Sequence, residues 1–376
     1  MFNLEEYLSE LEKLVNIESG MNCPEEQRAV AEFFKERFDA LGWKTTLHDI
    51  GDVVGPMLSC VNREAEEYDL MMIGHIDTVF PRGMLEKNPY RKEGDKIYGL
   101  GVADMKQGAL MMYHLVKNLE KDVLDKLNIA VVFNPDEEIG SMYSRPAYKA
   151  IAEKSKYCYV YEATGADGKR TVQRKGAFGL TVDFIGVEGH TGAKFTNGSK
   201  SAIHEMAYWI TEFLKLESRE RDITVNVGLV NGGKAVNIVA GNASLGMGIR
   251  FYDVEVEQEI LQTHKRLEAH AEENGIKLSY SKNRFISPLY PTEQGKKYLS
   301  HAEEIAKKAD SDFYFSKSPG LSDANQIADF GPIIIDSLGP AGAKIHTDKE
   351  FLYLDKIETS YNVSRALIKD LYENKK

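Results

Sequence analysis

Two rhythms of apolar side chains divide this chain. Residues 4–17 (LEEYLSELEKLVNI) place apolar groups every three or four positions, the spacing of an amphipathic helix. Residues 24–41 repeat that spacing, with Pro24 near the first turn, where its missing N–H has no partner to lose. Strand-like runs follow at 44–50, 57–61 and 68–73. Next come a helical stretch at 105–119, a short apolar strand at 128–133 (NIAVVF), a helix at 144–154 and a strand at 157–161 (YCYVY). Apolar strands alternating with helices predict an α/β domain, a mostly parallel sheet with helices on both faces.

Near Lys175 the texture changes. Residues 177–187 (AFGLTVDFIGV) alternate small or polar with apolar side chains, as a half-exposed strand does. An amphipathic helix at 201–216 follows, then strands at 223–230 and 242–251, the latter alternating at Ala243, Leu245, Met247 and Ile249. A helix at 254–273 and a strand at 276–280 complete the segment. Two helices over four antiparallel strands make a smaller α+β domain. From about residue 287 the α/β texture returns, with a strand at 332–335 and a last helix near 356–372. The expected organisation is a catalytic-type α/β domain in two pieces, 1–174 and 286–376, interrupted by the α+β insert at 175–285. No internal repeat or low-complexity segment breaks this order.

The composition suits two packed domains: 376 residues, 43% of them hydrophobic. The net charge of −11, from 47 basic against 58 acidic residues, argues against nucleic acid or an anionic membrane surface as a partner. The start, MFNLEEYLSELEKL, is acidic and amphipathic, without the basic and apolar regions of a secretory signal. No apolar run approaches the length of a membrane span. Cys23, Cys60 and Cys158 are far apart and form no CxxC pair, so neither a disulfide framework nor a cysteine zinc site is indicated. A reducing cytoplasm is the expected location.

Chemistry gathers at strand ends. In open α/β sheets, ligands bind beyond the carboxyl ends of the strands. The run 70–73 leads directly into IGHIDTVF, where His75 and Asp77 share one side of an extended segment. Asp77 can then accept the second ring N–H of His75, as a carboxylate does for a metal-ligating histidine. A surface His–Asp pair would look the same. In YGLGVADMKQG, Asp104 stands where a helix begins, and a plain N-cap is the competing explanation. NPDEEIGS sets Asp136, Glu137 and Glu138 side by side after a strand, which is costly unless a cation or raised pKa values relieve them, or the turn is solvated. Glu162 follows the strand at 157–161, and His346 follows the strand at 332–335 in GPAGAKIHTDKE. Each is bland alone. Together, four strands ending in an acid or histidine, with Asp104 between them, suit zinc or a similar divalent ion. One shared carboxylate would let two ions sit about 3.5–4 Å apart. The signatures HExxH, GxSxG and GxxxxGK[ST] are missing.

Taken together, GHIDTVF, GVADMKQG, NPDEEIGS and HTDKEF resemble the zinc-dependent exopeptidase and amidohydrolase family. It contains bacterial folate-cleaving glutamate carboxypeptidases, peptidase T, acetylornithine deacetylase, succinyl-diaminopimelate desuccinylase and aminoacylase. The likeness runs from His75 to His346 and on to the last helix. It implies two zinc ions, with cobalt or manganese as substitutes: one held by His75, Asp104 and Glu162, the other by Asp104, Glu138 and His346. Asp77 would orient His75. Glu137 would be the general base and acid, taking a proton from the attacking water and returning it to the leaving nitrogen. The insert would be a dimerisation or lid domain, making the protein a homodimer. His190 in GVEGHTG would reach a neighbouring subunit's site and help hold the oxyanion, and Asn237 in NGGKAVNIV would touch substrate. The texture is nearest the glutamate carboxypeptidase branch, whose arginines bind the substrate's terminal carboxylate. Arg250 in GMGIRFYD and Arg284 in SKNRFISP stand at matching places, where a planar guanidinium can bind a carboxylate bidentately. SPGLSDAN, with Gly320 and Ser322, resembles the family's glycine-rich substrate loop, although it reads PGLSDAN rather than a run of glycines.

The expected function is hydrolysis of a peptide or N-acyl amide bond beside a free carboxylate, by a cytoplasmic two-zinc carboxypeptidase acting on small peptide or N-acyl amino-acid substrates. An N-acyl amino-acid deacylase or a di- or tripeptidase of the same family is the nearest alternative. A non-catalytic metal-binding member would have lost a ligand or the base, and none is lost here.

Overall fold

The computed structural model describes residues 2–21 and 23–375. The chain forms two compact units. The first comprises Met1–Val172, Pro291–Lys317 and Ser322–Lys376; the second comprises Gln173–Tyr290 and Ser318–Leu321.

The first unit is built on a six-stranded sheet. Its strands lie in the order Lys44–His48, Met57–Val61, Ile129–Asn134, Tyr68–His75, Ser155–Val160, Ile333–Ile335. The last four are mutually parallel, and the first two add on antiparallel. Lys44–His48 and Met57–Val61 pair antiparallel because the connection at residues 49–56 is too short for a parallel crossover. Every residue of Met57–Val61, Tyr68–His75 and Ile129–Asn134 is buried, so both faces of the sheet are covered. That explains why these strands read as continuous apolar runs. Helix Leu4–Val15 is capped by Asn3, whose side chain accepts the Glu5 and Glu6 N–H groups at 3.1 and 3.2 Å. Helices Pro24–Ala40 and Gln107–Lys117 bury Phe34, Phe38 and Leu110 in the same core as Phe133 from the sheet, with the Phe34 and Phe133 rings stacked at 4.1 Å. Among the described residues, no helix is long and apolar enough to cross a membrane.

The second unit carries an antiparallel sheet in the order Thr224–Gly232, Asn242–Phe251, Gly176–Ile185, Lys277–Ile286. Phe178, Leu180, Val182 and Phe184 point to the side covered by helices Ala202–Leu214 and Val254–Glu273, where they join Trp209, Phe213 and Ile260 in a separate core. The alternate positions of that central strand face away. Its last neighbour is longer than its sequence pattern predicts. The alternation stops at Tyr280, yet pairing continues to Ile286 through a bulge between Tyr280 and Lys282. The extra residue resets which side chains face the core. Arg284 therefore stands inside a strand, opposite Gly179, and not on a connecting segment.

Candidate metal centre

The centre is assembled wholly within the first unit. His75 is the last residue of its strand and only 1% exposed. Its Nδ1 lies 3.3 Å from a carboxylate oxygen of the fully buried Asp77 and 3.1 Å from the Asp77 carbonyl. The Asp77 carboxylate also accepts the backbone N–H groups of Glu137 and Glu138 at 3.2 and 3.0 Å. One aspartate thus orients a histidine on one strand and the acidic turn at the end of the next.

That acidic turn divides its three carboxylates between two jobs. Asp136 is fully buried and structural: it accepts the Ser144 hydroxyl and, at 2.7 Å, the Tyr143 N–H. Glu137 and Glu138 lie in a single 3-10 turn, Glu137–Ile139, on the side of His75. Behind them, Asp323 holds both ends of the turn, accepting Asn134 Nδ2 at 2.7 Å and the Ser141 hydroxyl at 2.6 Å.

Asp104 is no N-cap. No side-chain bond from it closes the helix; it sits in a distorted turn, Val102–Lys106, with non-helical φ −121° and ψ 93°. Its two oxygens face opposite partners. Oδ1 lies 3.0 Å from His75 Nε2, and Oδ2 lies 3.0 Å from His346 Nε2. Glu162 Oε1 stands 3.7 Å from His75 Nε2, and Glu138 Oε2 stands 3.3 Å from His346 Nε2. The helix that follows comes this close because residue 108 is glycine: a Cβ there would sit 1.9 Å from the Tyr161 carbonyl. His346 adopts a left-handed φ of 61° and leaves its side chain half exposed, on the open side of the cluster.

The donor set suits a divalent cation. Ligand atoms of His75, Asp104 and Glu138 lie within 4.8 Å of one another, and so do those of His75, Glu137 and Glu162. Glu138 Oε1 is buried without a hydrogen-bond partner among the described residues, an atom that a bound ion would satisfy. The charges are unbalanced in the same sense. Burial pushes the Asp104 carboxyl up, but hydrogen bonds from His346 and His75 outweigh it and hold the group well below the usual range. Burial raises Glu138 to about 7, with Asp104 and Asp77 adding to the effect. Desolvation and the neighbouring carboxylates of Glu162, Asp323 and Glu138 push Glu137 well up, against the pull of His75. The hydrogen bond to Asp104 raises His346 to about 9. Protons gather where positive charge is needed.

The sequence matches peptidase family M20/M25/M40 over residues 71–370. The chain belongs to this family. Its members act on amide bonds, so the M20 chain described here is a metallohydrolase of that type. It is 31% identical over 372 residues to carboxypeptidase G2 of Pseudomonas sp. (strain RS-16), covering 96% of this chain and 88% of that protein. It is 24% identical over 323 residues to succinyl-diaminopimelate desuccinylase of Bordetella avium (strain 197N), covering 80% and 83%. Its fold matches that of the aminopeptidase PepT of Bacillus cereus ATCC 10987 with a TM-score of 0.76, at 22% identity and covering 98% and 99% of the two chains.

The remaining candidates divide between the units. His190 and Asn237 are neighbours in the second unit: His190 pairs with Ile238 in a short ribbon, and the Thr191 N–H donates to the Asn237 carbonyl at 3.0 Å. Arg250 and Arg284 stand on the open face of the antiparallel sheet, opposite Ala177 and Gly179 of the central strand. The Lys282 ammonium lies over Gly179 on that face. Gly320 belongs to the second unit, and its carbonyl accepts Arg174 Nη1 at 3.1 Å. Ser322 belongs to the first unit. Its hydroxyl accepts the Ala324 N–H at 3.1 Å and donates to Asp336 at 2.7 Å, so it is engaged as a helix cap. The sequence reasoning missed Asp323 and Glu350. Both lie inside stretches singled out by their chemistry, but nothing local marks Asp323 as the acceptor of the Asn134 and Ser141 side chains or Glu350 as the acceptor of three backbone N–H groups.

Proposed function

We propose that the protein is a two-metal carboxypeptidase that cleaves the amide bond beside a free C-terminal carboxylate. The observation that carries this reading is the division of Asp104 between two donor sets, one with His75 and Glu162 and one with Glu138 and His346. Bound divalent ions, zinc with cobalt or manganese as substitutes, would supply Lewis acidity to the scissile carbonyl and lower the pKa of the attacking water. Glu137 takes the proton from that water and returns it to the leaving nitrogen, and its desolvated setting makes it a stronger base than an ordinary glutamate. Asp77 holds the Glu137 N–H and the His75 ring, so base and ligand keep a fixed relation. Similarity to carboxypeptidase G2 supports the carboxypeptidase assignment. In this reading Arg250 and Arg284 anchor the substrate carboxylate.

The test is a panel of N-aminoacyl and N-acyl glutamates, aspartates and neutral amino acids, assayed with metal-stripped and zinc-restored protein. Zinc-dependent release of C-terminal acidic residues is expected. Cleavage confined to N-acyl substrates would favour an N-acyl amino-acid deacylase instead, the second candidate, which similarity to the desuccinylase supports. Arg250→Ala should raise KM roughly 10–100-fold with kcat nearly unchanged, since a charge-assisted hydrogen bond is worth about 1.5–3 kcal/mol. An unchanged KM would remove Arg250 from the carboxylate site.

The second unit is the proposed dimerisation and lid domain. Strand Thr224–Gly232 is a sheet edge, and Leu229 and Val230 on it are 69% and 56% exposed. Apolar, unpaired edges of this kind invite a second copy. Leu229→Glu should therefore turn a dimer into a monomer in sedimentation velocity, and a variant that stays dimeric would place the interface elsewhere.

A further inference from the structure

Glu350 follows His346 in the stretch HTDKEF and is only 1% exposed. Among the described residues, no ion pair explains its burial. Its carboxylate is instead filled by backbone donors. Oε1 accepts the Ala103 N–H at 2.7 Å and the Asp104 N–H at 2.9 Å, and Oε2 accepts the Gly101 N–H at 3.2 Å. These donors converge because Gly101 is left-handed, with φ 70°, ahead of the distorted turn. Successive backbone N–H groups arranged in this way form an anion-binding concavity. Here the acceptor is the chain's own carboxyl group, which burial pushes up to about 8 against the pull of the three N–H groups that favour its anion.

The position of that anion matters more than its burial. Glu350 is tied back to the His346 loop by its own N–H, which donates to the Thr347 carbonyl at 3.1 Å. The residues after it, Phe351–Tyr353, pair with Lys96–Tyr98, just before the Asp104 turn. The carboxylate therefore joins the two loops that present Asp104 and His346, whose facing atoms lie 3.0 Å apart. Without it, three buried N–H groups lose their acceptors, and the turn is free to relax toward the helix that follows.

We propose that Glu350 is a positioning residue that holds Asp104 and His346 at metal-ligand spacing, an inference that rests on the metal centre proposed above. Outer partners that orient a ligand typically contribute 10–100-fold to metal affinity. A carboxylate is required because donors arrive at both oxygens; glutamine keeps the shape but offers one acceptor and turns an NH2 group toward an N–H.

The experiment compares the full-length parent with Glu350→Gln and Glu350→Ala. Zinc affinity is measured by competition with a chromophoric chelator, folding by circular dichroism, and kcat and KM at saturating zinc. Glu350→Gln is expected to fold, to lose about 10–100-fold in zinc affinity, and to regain most of its kcat at saturating zinc with KM unchanged. A purely structural role would lower thermal stability without moving zinc affinity, so affinity within twofold of the parent overturns the proposal. Lost activity at unchanged affinity overturns it as well. If Glu350→Ala does not fold, the glutamine variant decides alone. A parent that binds no zinc overturns the metal centre and this inference together, whereas a zinc-binding parent with an indifferent Glu350→Gln overturns only the inference.

Discussion

Replacing Glu137 by alanine is expected to lower kcat by roughly 10²–10⁴-fold, the usual worth of a general acid–base group, while leaving metal content near that of the parent. Two features single out this carboxylate among its neighbours. Glu138 and Glu162 each approach a histidine that also contacts Asp104, at 3.3 and 3.7 Å. Among the described residues Glu137 makes no such contact, yet it stands beside the cluster at the start of the same turn as Glu138. Its carboxyl is pushed well above the ordinary range by desolvation and by the charges of Glu162, Asp323 and Glu138. The turn should survive truncation, because Asp77 holds the residue through its backbone N–H and not its side chain. Metal analysis beside steady-state kinetics separates the outcomes. A variant with kcat within a few-fold of the parent would show that another group moves the proton. A variant that loses metal together with activity would make Glu137 a ligand, as its grouping with His75 and Glu162 also permits.

The parts of this site that were legible in the sequence are those with local causes. Strands buried on both faces leave unbroken apolar runs, so the ends of 70–73 and 128–133 were visible, and with them His75 and the acidic turn. What the acidic turn does with each carboxylate was not visible. Asp136, Glu137 and Glu138 are equivalent in sequence, and only the turn geometry sends Asp136 to Ser144 and the other two toward His75. Asp104 had the sequence appearance of a cap, since nothing local announces the distorted turn around it. Glu350 was hidden for a different reason: its acceptors serve N–H groups up to 249 positions earlier in the chain. The strand around Arg284 was not visible because a single bulge ends the alternation that identifies a strand. Short strands such as Arg91–Glu93 and Lys96–Tyr98 carry too few residues for any period to emerge. Helix Glu293–Lys307 did carry a readable signal, Thr292 capping the Gly295 N–H at 3.1 Å ahead of apolar Leu299, Ala302 and Ala306.

Stripping the protein with a chelator is expected to abolish turnover and to lower Tm by about 5–10 °C. A ligand at a hundred times its Kd stabilises by about 2.7 kcal/mol, and each kcal/mol moves Tm by about 2–4 °C in a domain of this size. The same loss should follow from one substitution. Among the described residues, Asp104 is the carboxylate that meets both His75 and His346, at 3.0 Å each, so Asp104→Asn is expected to remove both ions, while Glu162→Gln or His346→Ala should remove one and leave the other. The asymmetry follows from charge as well as contact. An amide at position 104 keeps the size of the side chain but gives up the negative charge that would draw two cations, and it turns a donor toward one of the imidazoles. Metal stoichiometry by elemental analysis, read beside Tm, decides the matter. Two ions retained by Asp104→Asn would mean that the halves of the site are independent, and the shared carboxylate on which the two-metal reading depends would have to be given up. One ion lost from each of the three variants alike would point to a single metal held by all the ligands at once, with water activation and carbonyl polarisation falling to the same ion.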